Sequence, residues 1–283
     1  LDNAFEEERF EPKKVSYADQ REAGVKEQIA IQQKKDGNLQ EALVAIDESI
    51  ALNPNLASSH FTRGSVLRLM ERYDDAVLAF RRAREIEPSY QNAWAMEGSA
   101  YLRLENWQAS IAPLSRATDL DKKDATAFAN LGLAYRKMNQ LENAVGVYKE
   151  GLVSNPDSPE LLSNLGVALT KLKRDAEAVV LLQDAVQGNP DNYEIRLNLA
   201  IALRQTDRCA DAIPHYEQAL VLKPNDENAA YDLAVCLRNS GQRQKAVVAY
   251  ERFIALIKDK DPEQVRAAEK ELEALRKPKG KKK

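Results

Sequence analysis

Residues 125–158 read ATAFANLGLAYRKMNQLENAVGVYKEGLVSNPDS, and this stretch decides the fold. Apolar residues recur three and four apart from Phe128 to Tyr135 and again from Leu141 to Leu152, with the polar Asn139-Gln140 between them. That spacing predicts two amphipathic helices joined by a tight turn. Pro156 closes the stretch, because proline cannot continue the second helix and suits the entry to the next.

Working outward, Pro54, Pro88, Pro156, Pro190 and Pro224 fall 34 residues or twice 34 apart, with Lys122 standing at the missing place. The period defines seven repeats: 23–56, 57–90, 91–124, 125–158, 159–192, 193–226 and 227–260. The eighth place of each is Ala30, Gly64, Gly98, Gly132, Gly166, Ala200 and Ala234. The twentieth is Ala42, Ala76, Ser110, Ala144, Ala178, Ala212 and Ala246. Small residues at both places predict two helices crossing closely, with Gly132 set against Ala144 in repeat four. The twenty-fourth place carries the bulk: Ile46, Phe80, Leu114, Tyr148, Leu182, Tyr216 and Tyr250.

Phe128, Leu131, Gly132, Tyr135, Ala144, Tyr148, Gly151 and Pro156 together resemble the tetratricopeptide repeat. The resemblance runs through all seven repeats and implies an all-α, right-handed superhelical solenoid. It leaves a 1–22 extension, a capping helix over 261–276 and a basic tail over 277–283. Asp261, Pro262 and Gln264 read as a helix start, and Val265, Ala268, Leu272 and Leu275 as the apolar seam that covers the last repeat. Residues 1–22, with Phe5, Phe10 and Tyr17, read equally as a short helix or an extended arm.

Of 283 residues, 41 are Lys or Arg and 44 are Asp or Glu, a net charge of −3, and aromatics are 6%. The balance argues against a nucleic-acid binder working by bulk positive charge. No apolar run is long enough to span a membrane. The opening residues lack the basic and apolar regions of a signal peptide, so a cytoplasmic location is the expectation and the bacterial periplasm, after removal of a leader, the alternative. No phosphate loop, zinc signature or nucleophile motif is present, so no catalysis, cofactor or metal is expected. His60 and His215 read as structural or surface residues, and Cys209 and Cys236 as neighbouring buried thiols or a disulfide. Pro113 and Pro214 fall inside second helices, on what should be their outward face.

In the family that these repeats resemble, first helices line a concave groove that binds an extended or helical partner segment. Three features would lie there. The sixth place holds Asn130, Asn164 and Asn198, then Asp232; an amide can both donate to and accept from a peptide group. A similar ladder serves the repeat domain of O-GlcNAc transferase. The twelfth and thirteenth places hold Lys34, Lys35, Arg68, Arg103, Arg136, Lys137, Lys171, Arg204 and Arg238, nine bases in fourteen positions and no acid. Phe61, Leu197, Ile201, Tyr231 and Val235 add apolar anchors. The carboxylate clamp of heat-shock-protein binders is not matched, since Ala129 and Leu133 stand where repeat four would need Lys and Asn. The expected function is a non-catalytic adaptor for an acidic protein segment. The alternatives are a recruiting arm of an enzyme whose catalytic part lies elsewhere, or a self-assembling scaffold.

Overall fold

The computed structural model describes residues 11–277, so Phe5, Phe10 and the tail beyond Lys277 lie outside the described residues. Among the described residues there are fifteen helices and no strand: α1 (Tyr17–Lys35), α2 (Leu39–Leu52), α3 (Ala57–Leu69), α4 (Tyr73–Ile86), α5 (Gln91–Arg103), α6 (Trp107–Leu120), α7 (Ala125–Lys137), α8 (Leu141–Ser154), α9 (Pro159–Lys171), α10 (Asp175–Gly188), α11 (Tyr193–Gln205), α12 (Cys209–Leu222), α13 (Glu227–Asn239), α14 (Arg243–Ile257) and α15 (Pro262–Arg276). The chain divides into two compact halves, Leu1–Ser154 and Asn155–Lys283. Within each half every helix packs on the next. First helices of neighbouring repeats also touch, α1 with α3 and α5 with α7 in one half, α9 with α11 and α11 with α13 in the other. The first helices are therefore the crowded, inner side of each half.

One backbone device makes every helix pair. The fifteenth place of each repeat (Gly37, Glu71, Glu105, Asn139, Lys173, Asp207 and Gly241) is left-handed, with φ between 55° and 84°. The next amide then reaches back to the eleventh-place carbonyl, as in Arg72 N to Leu67 O and Gln140 N to Tyr135 O, at 2.9 and 2.8 Å. This six-to-one bond satisfies a helix-end carbonyl and reverses the chain. Glycine takes the conformation without strain at positions 37 and 241; a side chain such as that of Glu71 or Lys173 costs roughly 1–2 kcal/mol there.

The first and second helices of a repeat meet at small residues, but not in the expected pairing. A Cβ placed on Gly132 would run into the ring of Tyr148, and the same holds for Gly98 against Leu114. For Gly64 the obstacle is Phe80 at 2.7 Å, and for Gly166 it is Leu182 at 2.8 Å. The eighth place thus holds the bulky side chain sixteen residues on, and Gly132 is set against Tyr148 instead of Ala144. In repeats six and seven the same two places hold Ala200 with Tyr216 and Ala234 with Tyr250, all fully buried.

A second recurring contact ties repeats two, three and six each to the one before. His60, Trp94 and Arg196, all at the fourth place, reach the carbonyls of Pro54, Pro88 and Pro190 at 3.1, 2.9 and 3.0 Å. Those carbonyls lie in the link between repeats, where the helix ladder offers them no donor. Since a carbonyl only accepts, Nε2 of His60 carries the proton.

At the start of the described chain, Lys13 and the Asn55 side chain exchange two hydrogen bonds of 3.0 and 2.7 Å, and residues 17–22 join α1. At its end Asp261 accepts from the amides of Glu263 and Gln264, while Ala268 and Leu272 are buried between half-buried Val265 and Leu275. Pro214 is exposed as expected, but Pro113 is buried. It occupies the twenty-third place, which in repeats one, two and seven is a buried alanine that turns toward the neighbouring repeat.

Replacing Gly132 with Ala should lower stability by about 1–3 kcal/mol, because the Tyr148 ring must move. Gly146→Ala, where nothing stands within 4 Å, should instead raise it by about 0.5–1 kcal/mol. Urea unfolding of the two variants checks both signs.

Candidate functional site

The bases of the stripe all sit in the last turn of a first helix, but the structure treats them differently. In the first half, Lys34, Lys35 and Arg68 cluster at the ends of α1 and α3. Burial and the neighbouring charges of Arg68 and Lys35 push the Lys34 ammonium below its ordinary range. Arg68 Nε is buried without a hydrogen-bond partner, and so is Arg136 Nε. Arg103 lies over the ring of Tyr73 at 5.6 Å and donates to its hydroxyl, and Lys137 lies over Trp107 at 5.3 Å. Each ring holds a cation in place without cancelling its charge.

In the second half Lys171 is exposed, but Arg204 and Arg238 have acids opposite them. Arg204 Nε stands 3.5 Å from Asp232 Oδ1, and Tyr216 donates to the other carboxylate oxygen at 3.1 Å. Burial works against the Arg204 charge, and Asp232 with Tyr216 outweighs it, so its pKa is raised. Burial likewise raises the Asp232 carboxyl. Arg238 pairs with Glu271 of α15 at 2.7 Å. No acid occupies the twelfth or thirteenth place, yet the sixth place and the capping helix supply two.

The asparagine column divides in the same way. Asn198 donates to Ser163 at 2.8 Å, and Asp232 is held by Tyr216 and Arg204. Asn130 and Asn164 are half-buried and bond to no neighbour among the described residues. Of the apolar anchors, Phe61 packs between Phe80 and Tyr90, with ring centroids 5.5 and 5.0 Å away. Tyr231 is exposed and rests on Phe253 at 5.0 Å; Leu197 is half-buried.

One charged cluster was not anticipated. Glu97 is only 2% exposed and accepts from Arg81 at 3.2 Å and Arg84 at 2.5 Å, while Arg84 stacks on Trp94 at 4.1 Å. The signal was present: the seventh place is leucine in repeats four to seven, and an acid in that column needs a cation. Cys209 and Cys236 stand as buried free thiols, 2.7 Å apart, and burial pushes the Cys236 thiol up. His60 and His215 are both pushed down by burial. Among the described residues no three His, Cys, Asp or Glu side chains gather as a metal would require, and no helix is long and apolar enough to cross a membrane.

Profiles described as TPR repeat match residues 132–173, and those described as tetratricopeptide repeat match 61–125, 160–188 and 197–265. The chain belongs to the tetratricopeptide repeat superfamily. Comparison with curated proteins by sequence gave no match. Among solved structures, YrrB, described as a TPR protein with an unusual peptide-binding site, is 22% identical over 69% of this chain and 99% of its own, with a TM-score of 0.58. PilF of Pseudomonas aeruginosa is 17% identical over 76% of this chain and 96% of its own, with a TM-score of 0.61. At these identities the likeness is one of fold. Tetratricopeptide repeat proteins are as a class non-catalytic modules for protein–protein interaction.

In this tetratricopeptide repeat protein the Glu97 cluster fastens α4 to α5 and should be structural. Glu97→Ala should cost roughly 2–3 kcal/mol in urea unfolding. The loss falls short of that for a fully enclosed pair because Arg81 reaches solvent.

Proposed function

We propose that this chain is a non-catalytic adaptor that holds an extended or helical acidic segment of a partner protein against its first helices. The observation that carries the reading is a contrast between two sets of helices. All seven first helices carry a base in the last turn, whereas among the seven second helices only α4 does. Both sets carry the same macrodipole, so a general preference for cations at helix ends does not account for the difference. The bases face the inner side, where the sixth-place asparagines also lie.

The pairing within each half refines the roles. In the first half Lys34, Lys35, Arg68, Arg136 and Lys137 supply the attraction, Asn130 bonds to a segment's backbone and Phe61 takes an apolar side chain; in the second half Lys171, Asn164 and Tyr231 have those roles. Arg204 and Arg238 are neutralised internally and hold the second half together.

The test begins with an arrayed library of peptides, from which the strongest binder is titrated against wild type and variants. Raising salt from about 0.05 to 0.5 M should weaken binding, chiefly through slower association. The pair Lys35→Glu and Lys137→Glu, both at exposed positions, should reproduce that loss at low salt with stability nearly unchanged. Asn164→Ala should speed dissociation and keep the salt slope, since a neutral amide is little screened. Reversing Arg204 and Arg238 should lower stability instead. Binding indifferent to salt and to both first-half reversals overturns the acidic-segment reading.

A further inference from the structure

Away from the groove, on the second-helix side, the same hollow appears twice. In the first half it is about 370 Å³ and is lined by Asp47, Ile50, His60, Arg63, Leu78, Ala79 and Arg82. In the second half it is about 350 Å³ and is lined by Glu217, Leu220, Ala230, Leu233, Val248, Ala249 and Arg252, with Leu237 and Lys245 beside them. Those first seven residues occupy the same repeat places in both. The hollow is therefore a feature of the repeat, open wherever the sequence leaves it unfilled.

What the fourth place carries shapes it: the His60 ring turns to the Pro54 carbonyl and leaves the first-half hollow open. Between repeats two and three it is occupied by Trp94, whose ring lies under Arg84, with Glu97 beside it. Between repeats three and four Phe128 fills it and is 1% exposed. Repeat seven has Ala230 there, which removes the ring. It also removes the donor that Trp94 gives Pro88, and Arg252 serves the Pro224 carbonyl instead at 2.7 Å. The space left is apolar, walled by Leu220, Leu233 and Leu237, and its edge at Val248 is 64% exposed.

We infer that the hollow over Ala230 is a socket for an aromatic side chain of a partner protein, set beside carboxylates in that partner's sequence. The shape argument comes from this chain, since equivalent spaces in earlier repeats hold an indole and a phenyl ring. The charge argument comes from α14: Lys245 and Arg252 line one wall two turns apart, and Glu217 on α12 turns acidic flanks toward them. A ring entering a preformed apolar pocket with charges at its rim matches the anchors that dominate protein interfaces. This face is separate from the groove of the first helices, so either can fail without the other.

The full chain is tested with a synthetic peptide, acetyl-Gly-Glu-Trp-Glu-Glu-Gly-amide, by methyl chemical shifts and calorimetry. Signals of Leu220, Leu233, Leu237 and Val248 should move. Alanine in place of the peptide's tryptophan, or lysines in place of its glutamates, should each weaken binding by about tenfold or more. Ala230→Trp, which restores the residue of repeat three, should raise the melting temperature and weaken binding at least about tenfold. If that variant does not fold, Val248→Arg blocks the mouth from an exposed position and should weaken binding equally. The inference is overturned by no binding at about 1 mM peptide, by shifts confined to groove residues such as Ile201 and Val235, or by Ala230→Trp binding like wild type. It is also overturned if Ala230→Trp changes only the oligomeric mass in light scattering, for then the socket takes a second copy of this chain.

Discussion

The contact between the eighth place and the side chain sixteen residues later is the constraint from which the rest of the structure follows. It brings the axes of two helices close enough for a ring or a leucine to fill the notch left by a missing Cβ. Once the pair is fixed at that distance, its own hydrophobic face is only half covered, and stacking the next pair is what completes the core. The small residues thus set both the repeat and the need for repetition.

The left-handed turn is the second requirement, and it is imposed by tertiary structure. Only two of the seven residues in that conformation are glycine; Glu71, Glu105 and Lys173 adopt it against their own preference. The cost is borne because the amide after the turn reaches a helix-end carbonyl, and because the second helix can reach the first only if the chain reverses there. Fourth-place donors to the proline carbonyls add a bond between repeats at His60, Trp94 and Arg196.

Charge is organised by side. On the second-helix side it joins helices, as Arg63 does with Asp47 and as Arg81 and Arg84 do with Glu97. On the first-helix side it is unbalanced in the first half and balanced at the C-terminal end, where Asp232 and Glu271 answer Arg204 and Arg238. The acidic-segment proposal therefore draws chiefly on the bases of the first half, which have no such acid opposite them.

The sequence by itself determined the period, the helix pairs, the capping helix and the column of bases, because each is written in residues at fixed local spacing. The positions of Pro156 and its equivalents, of Gly132 and of Tyr148 were enough for that. What only the tertiary structure decided is which side chains meet across helices. Gly132 faces Tyr148 and not Ala144, Pro113 turns inward, Glu97 lies between two arginines, and Arg204 is neutralised by Asp232 from the following repeat. The physical reason is that helical periodicity fixes a residue's face to within a turn, whereas partners across an interface depend on crossing angle and side-chain reach. Ala230 shows the same division: its smallness is plain in the sequence, but the hollow beside it exists only because Leu220, Val248 and Arg252 stand around a space that Trp94 fills elsewhere.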